Sequence, residues 1–330
     1  MVRKSRQNPA LALGARIGAK IRRAFPRFWL DVLFWWTEHC PFVVLVTRRF
    51  WAWSGWRFSR LMREGTLANA RRILGPNADD AECVTLAKSV IRNFYTSVYE
   101  LGRSVRLSQS ELVAQIDGVD GRDIYRAARK SGKGAIVVTA HLGAFELGVA
   151  ALTQEEKRIH VVFQRDAVPR FDRLRSELRR RLGVVEAAVD EGWSMWPRLV
   201  DALGADEVVV IQADRVMPGQ RGEPVPFFGG HILMPTGPLK LALASGAPVI
   251  PIFSIRTALG RVRIVVEEAI TVSREQGPLT GRHPAMLALA SAIERHVRAH
   301  PDQWLMVYPM WCEDLNPKDV AQRPTAVKTG

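Results

Sequence analysis

His141 and Glu146 lie five residues apart where the sequence changes pattern: the run Ala135-Ile-Val-Val-Thr139 precedes them, and Gly143 and Gly148 punctuate the stretch around Glu146. An imidazole of near-neutral pKa suits the removal of a hydroxyl proton during attack on a carbonyl. A carboxylate on its second nitrogen would fix the tautomer and stabilise the imidazolium as it forms. The oxyanion then needs donors, from backbone N–H groups at a helix start or from an arginine. Residues five apart do not share a helix face. The pair can therefore cooperate only if His141 closes a strand or sits in the turn and Glu146 opens the next helix. Sites of α/β sheets form there, outside the carboxyl ends of the strands. Direct acyl transfer needs no covalent enzyme intermediate; no cysteine is near, and no G-x-S-x-G occurs. With 7 His and 33 acidic residues, one such spacing is expected by chance, so its context decides.

The elements around the pair read as alternating strands and helices. Residues 65–75 and 79–103 carry apolar side chains at helical spacing, among them Val84, Ala87, Val90, Ile91 and Phe94. From Gly134 onwards, short β-branched runs at 135–139, 158–163, 207–212, 248–255, 261–267 and 304–308 are separated by helical stretches. This predicts an α/β fold with a mixed central sheet flanked by helices. The predicted organisation is a basic, Trp-rich anchor at 1–64, the α/β domain at 65–312 and a polar C-terminal tail at 313–330.

A formal charge of +14 over 330 residues calls for a polyanionic partner: nucleic acid, an anionic membrane or a phosphorylated substrate. Six of ten tryptophans, Trp29, Trp35, Trp36, Trp51, Trp53 and Trp56, fall in the first 56 residues among arginines. That mixture suits a membrane interface, and no recognition motif for nucleic acid is present. Residues 28–47 are long enough to span a bilayer, but Asp31, Glu38, His39 and Pro41 interrupt them. Charges at mid-span cost about 2.5–3.5 kcal/mol each on insertion scales, which favours an interfacial helical region over a span. Cys40, Cys83 and Cys312 are odd in number and lack metal-ligand spacing. No metal and no disulfide framework is expected.

Residues 170–182 form a predicted helix with Phe171, Leu174, Leu178 and Leu182 on one side and six arginines over much of the rest. It is either a solvated basic face or one turned to phosphate. Phe227-Phe228 reads equally as core beside a glycine turn or as the mouth of an acyl groove, and His231 stands just beyond it.

Together with Asp214, Gly219, Pro224-Val-Pro-Phe-Phe-Gly229, Thr236-Gly237 and His300-Pro-Asp-Gln-Trp304, the H-x4-E pair resembles the late acyltransferases of lipid A biosynthesis. These belong to the lysophospholipid-acyltransferase-like superfamily, with the phosphatidylinositol mannoside acyltransferases. The resemblance spans residues 67–311. It implies an O-acyltransferase at the cytoplasmic face of a bacterial inner membrane. The implied co-substrate is acyl carrier protein or coenzyme A thioester, with no other cofactor, and the acceptor an anionic glycolipid, most simply a lipid A precursor. It further implies His141 as general base and Glu146 as its partner. Substrate binding is implied for Arg165 (beside Gln164, the position matched by distance to Pro169), Asp214, Phe227, Phe228 and Gly229. The alternatives are a phosphatidylinositol mannoside or other lipid as acceptor, or a catalytically silent lipid-binding member of the fold.

Overall fold

The computed structural model describes residues 28–166, 168–216 and 222–314. Gly219, the first 27 residues and all but the start of the polar tail lie outside the described residues. In chain order the elements are α1 (residues 28–39), α2 (Pro41–Phe58), α3 (Arg60–Leu74), α4 (Asp80–Ser104), α5 (Gln109–Val113), β1 (Ile116–Asp120), α6 (Arg122–Arg129), β2 (Ala135–Thr139), α7 (Phe145–Leu152) and β3 (Ile159–Phe163). Next come α8 (Pro169–Arg181), β4 (Val185–Ala188), α9 (Met195–Gly204), β5 (Val208–Gln212), β6 (Gly222–Phe227), β7 (Gly230–Pro235), α10 (Gly237–Ser245), β8 (Val249–Ala258), β9 (Arg261–Val266) and α11 (Pro284–Ala299).

The seven-stranded sheet has the order β1-β9-β8-β2-β5-β3-β4 and is parallel throughout except for the antiparallel β8–β9 pair. A separate antiparallel hairpin joins β6 and β7. Strands β2 and β5 are continuous apolar runs because both sheet faces are covered. One face, carrying Val137, Val161 and Val210, packs on α7 and α8 through Val149, Leu174 and Leu178. The other, with Ile136, Val138, Val209 and Ile211, packs on α9, α10 and α11. Adjacent strands β2 and β5 thus send the chain to opposite faces, β2 into α7 and β5 by way of the hairpin into α10. Such a reversal opens a crevice at the carboxyl edge of a sheet.

Helix α4 starts at a capping box between Asp79 and Glu82 and buries Leu86, Val90, Ile91, Tyr95 and Val98 at helical spacing. Pro41 cannot continue α1, and the chain turns there into α2. Leu33, Phe34, Val44 and Trp51 from these two helices pack on Ile91, Tyr95 and Val98 of α4. Glu38 also pairs with Arg170 of α8 at 3.0 Å. No described helix is long and apolar enough to cross a membrane.

The strand expected at 304–308 is not formed. The N–H of Leu305 donates to the carbonyl of His141 at 2.8 Å, and Asn69 Nδ2 donates to the carbonyls of Met306 and Tyr308. This apolar segment is buried by loop contacts in place of a ladder.

Candidate active site

β2 ends at Thr139, and His141 lies on the tight passage into α7. Gly143 makes that passage possible. Its φ of +64° lies in the left-handed region, and a Cβ there would stand 1.9 Å from the carbonyl oxygen of Ser254. Its N–H donates to the carbonyl of Gln303 at 3.0 Å. β5 ends beside β2, and the Ala213 N–H donates to the Thr139 carbonyl at 2.9 Å. The next residue, Asp214, is thereby delivered beside His141.

Asp214 is 0 % exposed. Its Oδ1 lies 2.8 Å from His141 Nδ1, while Oδ2 accepts the His141 backbone N–H at 2.8 Å and the Trp304 indole N–H at 2.9 Å. Burial alone would push the Asp214 carboxyl up, but His141 and these donors hold it below the usual carboxylate range. An ionised carboxylate facing Nδ1 makes that nitrogen the donor and leaves Nε2 as the acceptor. Burial, aided by the nearby Arg215 charge and opposed by Asp214, holds the His141 pKa below its ordinary value. The imidazole is therefore neutral at physiological pH, the state a general base requires.

His141 lines a cavity of about 1020 Å³ that straddles the carboxyl edge of the sheet. Towards α7 and α8 its wall is mainly apolar, with Val137, Val149, Leu152, Val161, Leu178 and Leu182, and also carries Arg179, which lies over the Phe163 ring and pairs with Glu186. Phe145 and Leu152 both line it, so this lobe runs along α7 for about 10 Å at 1.5 Å per helical residue. Towards α9 and α10 it meets Trp193, Trp196, Val200, Pro238 and Leu241. Between the lobes lie His141, Glu146, Gln164, Arg165, Arg175, Gln212 and Arg215. A mainly apolar space with a few convergent polar groups is the usual form of a ligand pocket.

Glu146, in the first turn of α7, lines the same cavity, but Asp214 occupies the place on Nδ1 that a local partner would take. Glu146 faces Arg175 of α8, its Oε1 lying 3.6 Å from Nη2, and the other terminal nitrogen of Arg175 donates to Asp166 at 3.1 Å. The Arg175 guanidinium also lies over the rings of Phe145 and Phe171. Burial, opposed by Arg175, raises the Glu146 pKa above the ordinary carboxylate value.

The other expected site residues are distributed differently. Asp214 stands behind the imidazole, without exposure to a substrate. Arg165 reaches the cavity rim but is exposed and paired with Asp190 at 2.9 Å. Phe227 is 1 % exposed in a core cluster with Trp304 and Trp311, whose indole N–H donates to its carbonyl at 2.9 Å. Phe228 packs on that cluster and carries Arg298 over its ring. Neither phenylalanine nor Gly229 lines the cavity; the hairpin turn faces α11, where Glu294 accepts the Phe228 N–H. His231 pairs with Glu313 at 3.0 Å on the surface.

Three residues with a place in the site do not stand out in the sequence. Arg175 is one arginine among six on its helix; its position next to Leu174 and one turn before Leu178 is the signal of an inward-leaning side chain. Arg215 directly succeeds Asp214. Trp304 ends a motif without an evident role. Among the described residues, no group of three His, Cys, Asp or Glu side chains is gathered to hold a metal ion.

A family model described as "Bacterial lipid A biosynthesis acyltransferase" matches residues 18–313. A phosphatidylinositol mannoside acyltransferase of Mycobacterium tuberculosis (strain CDC 1551 / Oshkosh) is 28% identical over 225 residues, 68% of this chain and 69% of that protein. A phosphatidylinositol mannoside acyltransferase of Mycolicibacterium smegmatis is 26% identical over 250 residues, covering 75% of this chain and 79% of its relative.

Proposed function

The chain belongs to the family of bacterial lipid A biosynthesis acyltransferases, and on that premise we propose that it moves a fatty acyl chain from a thioester onto a hydroxyl of an anionic glycolipid. The donor is acyl carrier protein or coenzyme A. The observation that carries this reading is the neutral His141, fixed by Asp214 through Nδ1, at the opening of a deep apolar lobe. His141 Nε2 takes the hydroxyl proton while the hydroxyl oxygen attacks the thioester carbon. Collapse of the tetrahedral intermediate breaks the C–S bond, and the leaving thiolate takes the proton back from the imidazolium. Asp214 stabilises that imidazolium, while Glu146 with Arg175 orients the polar part of a substrate beside it.

Two acceptors share the required chemistry, a sugar hydroxyl on an anionic lipid. The family description points to a lipid A precursor, and the names of the two relatives to a phosphatidylinositol mannoside. The arginines of the cavity suit the phosphate of either.

The proposed site of action is the cytoplasmic face of a bacterial inner membrane. In support, Phe28, Trp29, Trp35, Phe42, Phe50, Trp53, Phe58 and Leu61 are exposed on the first three helices. Clustered apolar exposure among arginines fits residues 1–64 as an interfacial anchor ahead of a catalytic unit at 65–312 and a polar tail at 313–330.

Mass spectrometry of products tests the reading. Detergent-solubilised protein is given acyl-loaded carrier protein or acyl-coenzyme A with each acceptor in turn, and His141→Ala is run alongside. One acyl mass gained by either glycolipid, and lost in His141→Ala, is the expected result. Unchanged activity in folded His141→Ala would remove the mechanism.

A further inference from the structure

Among the described residues, five cationic side chains line the cavity, Arg165, Arg175, Arg179, Arg215 and Lys240. Arg179 is committed to Glu186, and the three arginines that follow differ in what their donors already hold. Arg165 is exposed at the rim and tied to Asp190. Arg175 is shared between Asp166 and Glu146. Arg215 sits in the wall beside His141, close enough for its charge to disfavour the imidazolium. Its Nη1 donates to the Tyr308 hydroxyl at 2.6 Å, and the guanidinium lies 5.8 Å from the centre of that ring. The fork is therefore held in position at one end. At the other end its Nε is buried without a hydrogen-bond partner, and so is Nε2 of Gln212, which lines the same cavity at the end of β5.

Buried N–H donors without partners are uncommon, and a catalytic role is one account of them: an acceptor that exists only during a reaction. Two of them lining the cavity that holds a neutral base fit an oxygen that becomes negative when the base takes its proton. We propose that Arg215, assisted by Gln212, binds the oxyanion of the tetrahedral intermediate. This rests on the acyl transfer proposed above. As the hydroxyl oxygen bonds to the thioester carbon, the carbonyl π pair moves onto oxygen, where the Arg215 Nε–H and the Gln212 amide donate to it. When the carbonyl reforms, the C–S bond breaks and the thiolate leaves with the proton that His141 held. Backbone placement serves this arrangement. β5 presents Gln212 and, three residues later, Arg215, with Asp214 between them turned to the far side of the imidazole.

The test uses acyl-coenzyme A and the full chain, and it reads both transfer to glycolipid and the slower hydrolysis of the thioester by water, which needs no acceptor. Arg215→Gln is expected to lower kcat of both reactions by about 10²–10³-fold, the usual cost of one oxyanion donor, with little change in KM. Loss of the cation also lets His141 protonate at higher pH, so the acid limb of kcat/KM moves up. Arg215→Lys keeps the charge without the fork, so its acid limb stays in place and part of kcat returns. Tyr308→Phe, which leaves Arg215 present, should lose far less than Arg215→Gln.

Wild-type kcat in folded Arg215→Gln, or a change in KM alone, would overturn the assignment while leaving the acyltransferase reading intact. A wild type that neither transfers nor hydrolyses would overturn both. Should Arg215→Gln fail to fold by near-UV circular dichroism, Arg215→Lys decides: a tenfold or greater fall in kcat supports the role, and an unchanged kcat removes it.

Discussion

The two carboxylate oxygens of Asp214 hold His141 at two points, Oδ1 at the ring Nδ1 and Oδ2 at the backbone N–H, each at 2.8 Å. One side chain thus fixes the position, the orientation and the tautomer of the base. Asp214→Asn is expected to lower kcat by up to about 10⁴-fold, the loss seen when the carboxylate that sets a catalytic histidine's tautomer is made neutral. Asp214 also favours the protonated imidazole, so its removal should move the acid limb of kcat/KM to lower pH. Steady-state kinetics from pH 4.5 to 8 checks both effects.

The depressed His141 pKa has its own pH signature. On the proposed mechanism neutral His141 is the active form, so kcat/KM should fall on acidification only below the ordinary imidazole value of about 6.5. The same shift affects stability. Below about pH 6.5 the unfolded chain binds a proton that the folded site resists, so His141 lowers stability as pH falls towards the folded value. A urea midpoint in His141→Gln that is less sensitive to pH between 7 and 5 than in wild type would show this contribution.

Glu146 works in the opposite sense. Its pKa is raised in the folded state, so its ionised form carries a burial penalty above that pKa. Glu146→Gln is therefore expected to melt higher than wild type at pH 8, with the gain shrinking as pH falls towards 4.5. Transfer activity should drop sharply in the same protein. Calorimetry beside the product assay measures this exchange of stability for function; a lower melting temperature at pH 8 would mean that the Arg175 contact outweighs the burial cost.

Trp304→Phe removes one donor from a buried carboxylate while keeping most of the ring volume. A hydrogen bond to a charged group contributes about 1.5–3 kcal/mol, and a loss of that size should appear in urea unfolding. Gly143→Ala should do worse, because the methyl group would meet the backbone of β8 at 1.9 Å and the required φ is unfavourable.

These predictions rest on features that the sequence disclosed unevenly. β2, β3, β5, β8 and β9 are legible as β-branched runs. β1, Ile-Asp-Gly-Val-Asp, and β4, Val-Glu-Ala-Ala, are short, charged or glycine-containing, and only the sheet beside them makes them strands. His141 at a strand end is readable because Gly143 marks the turn. Its carboxylate is not: Asp214 lies 73 residues further on, and a periodicity argument sees only neighbours such as Glu146. Phe227 is open in the other direction: an aromatic pair beside glycines reads equally as core or as a groove mouth, and only Trp304 and Trp311 closing over it make it core.

The place of β5 between β2 and β3 governs when the chain becomes an enzyme. Both flanking strands are synthesised first, and the gap between them is filled only when residues 208–212 arrive. His141 therefore emerges from the ribosome long before its carboxylate, and no local segment can assemble the pair. Contacts of such sequence separation form slowly and leave strand edges exposed meanwhile. Nascent or partly folded chains are therefore without a poised base. On the proposed mechanism, activity is gained only when the sheet is complete.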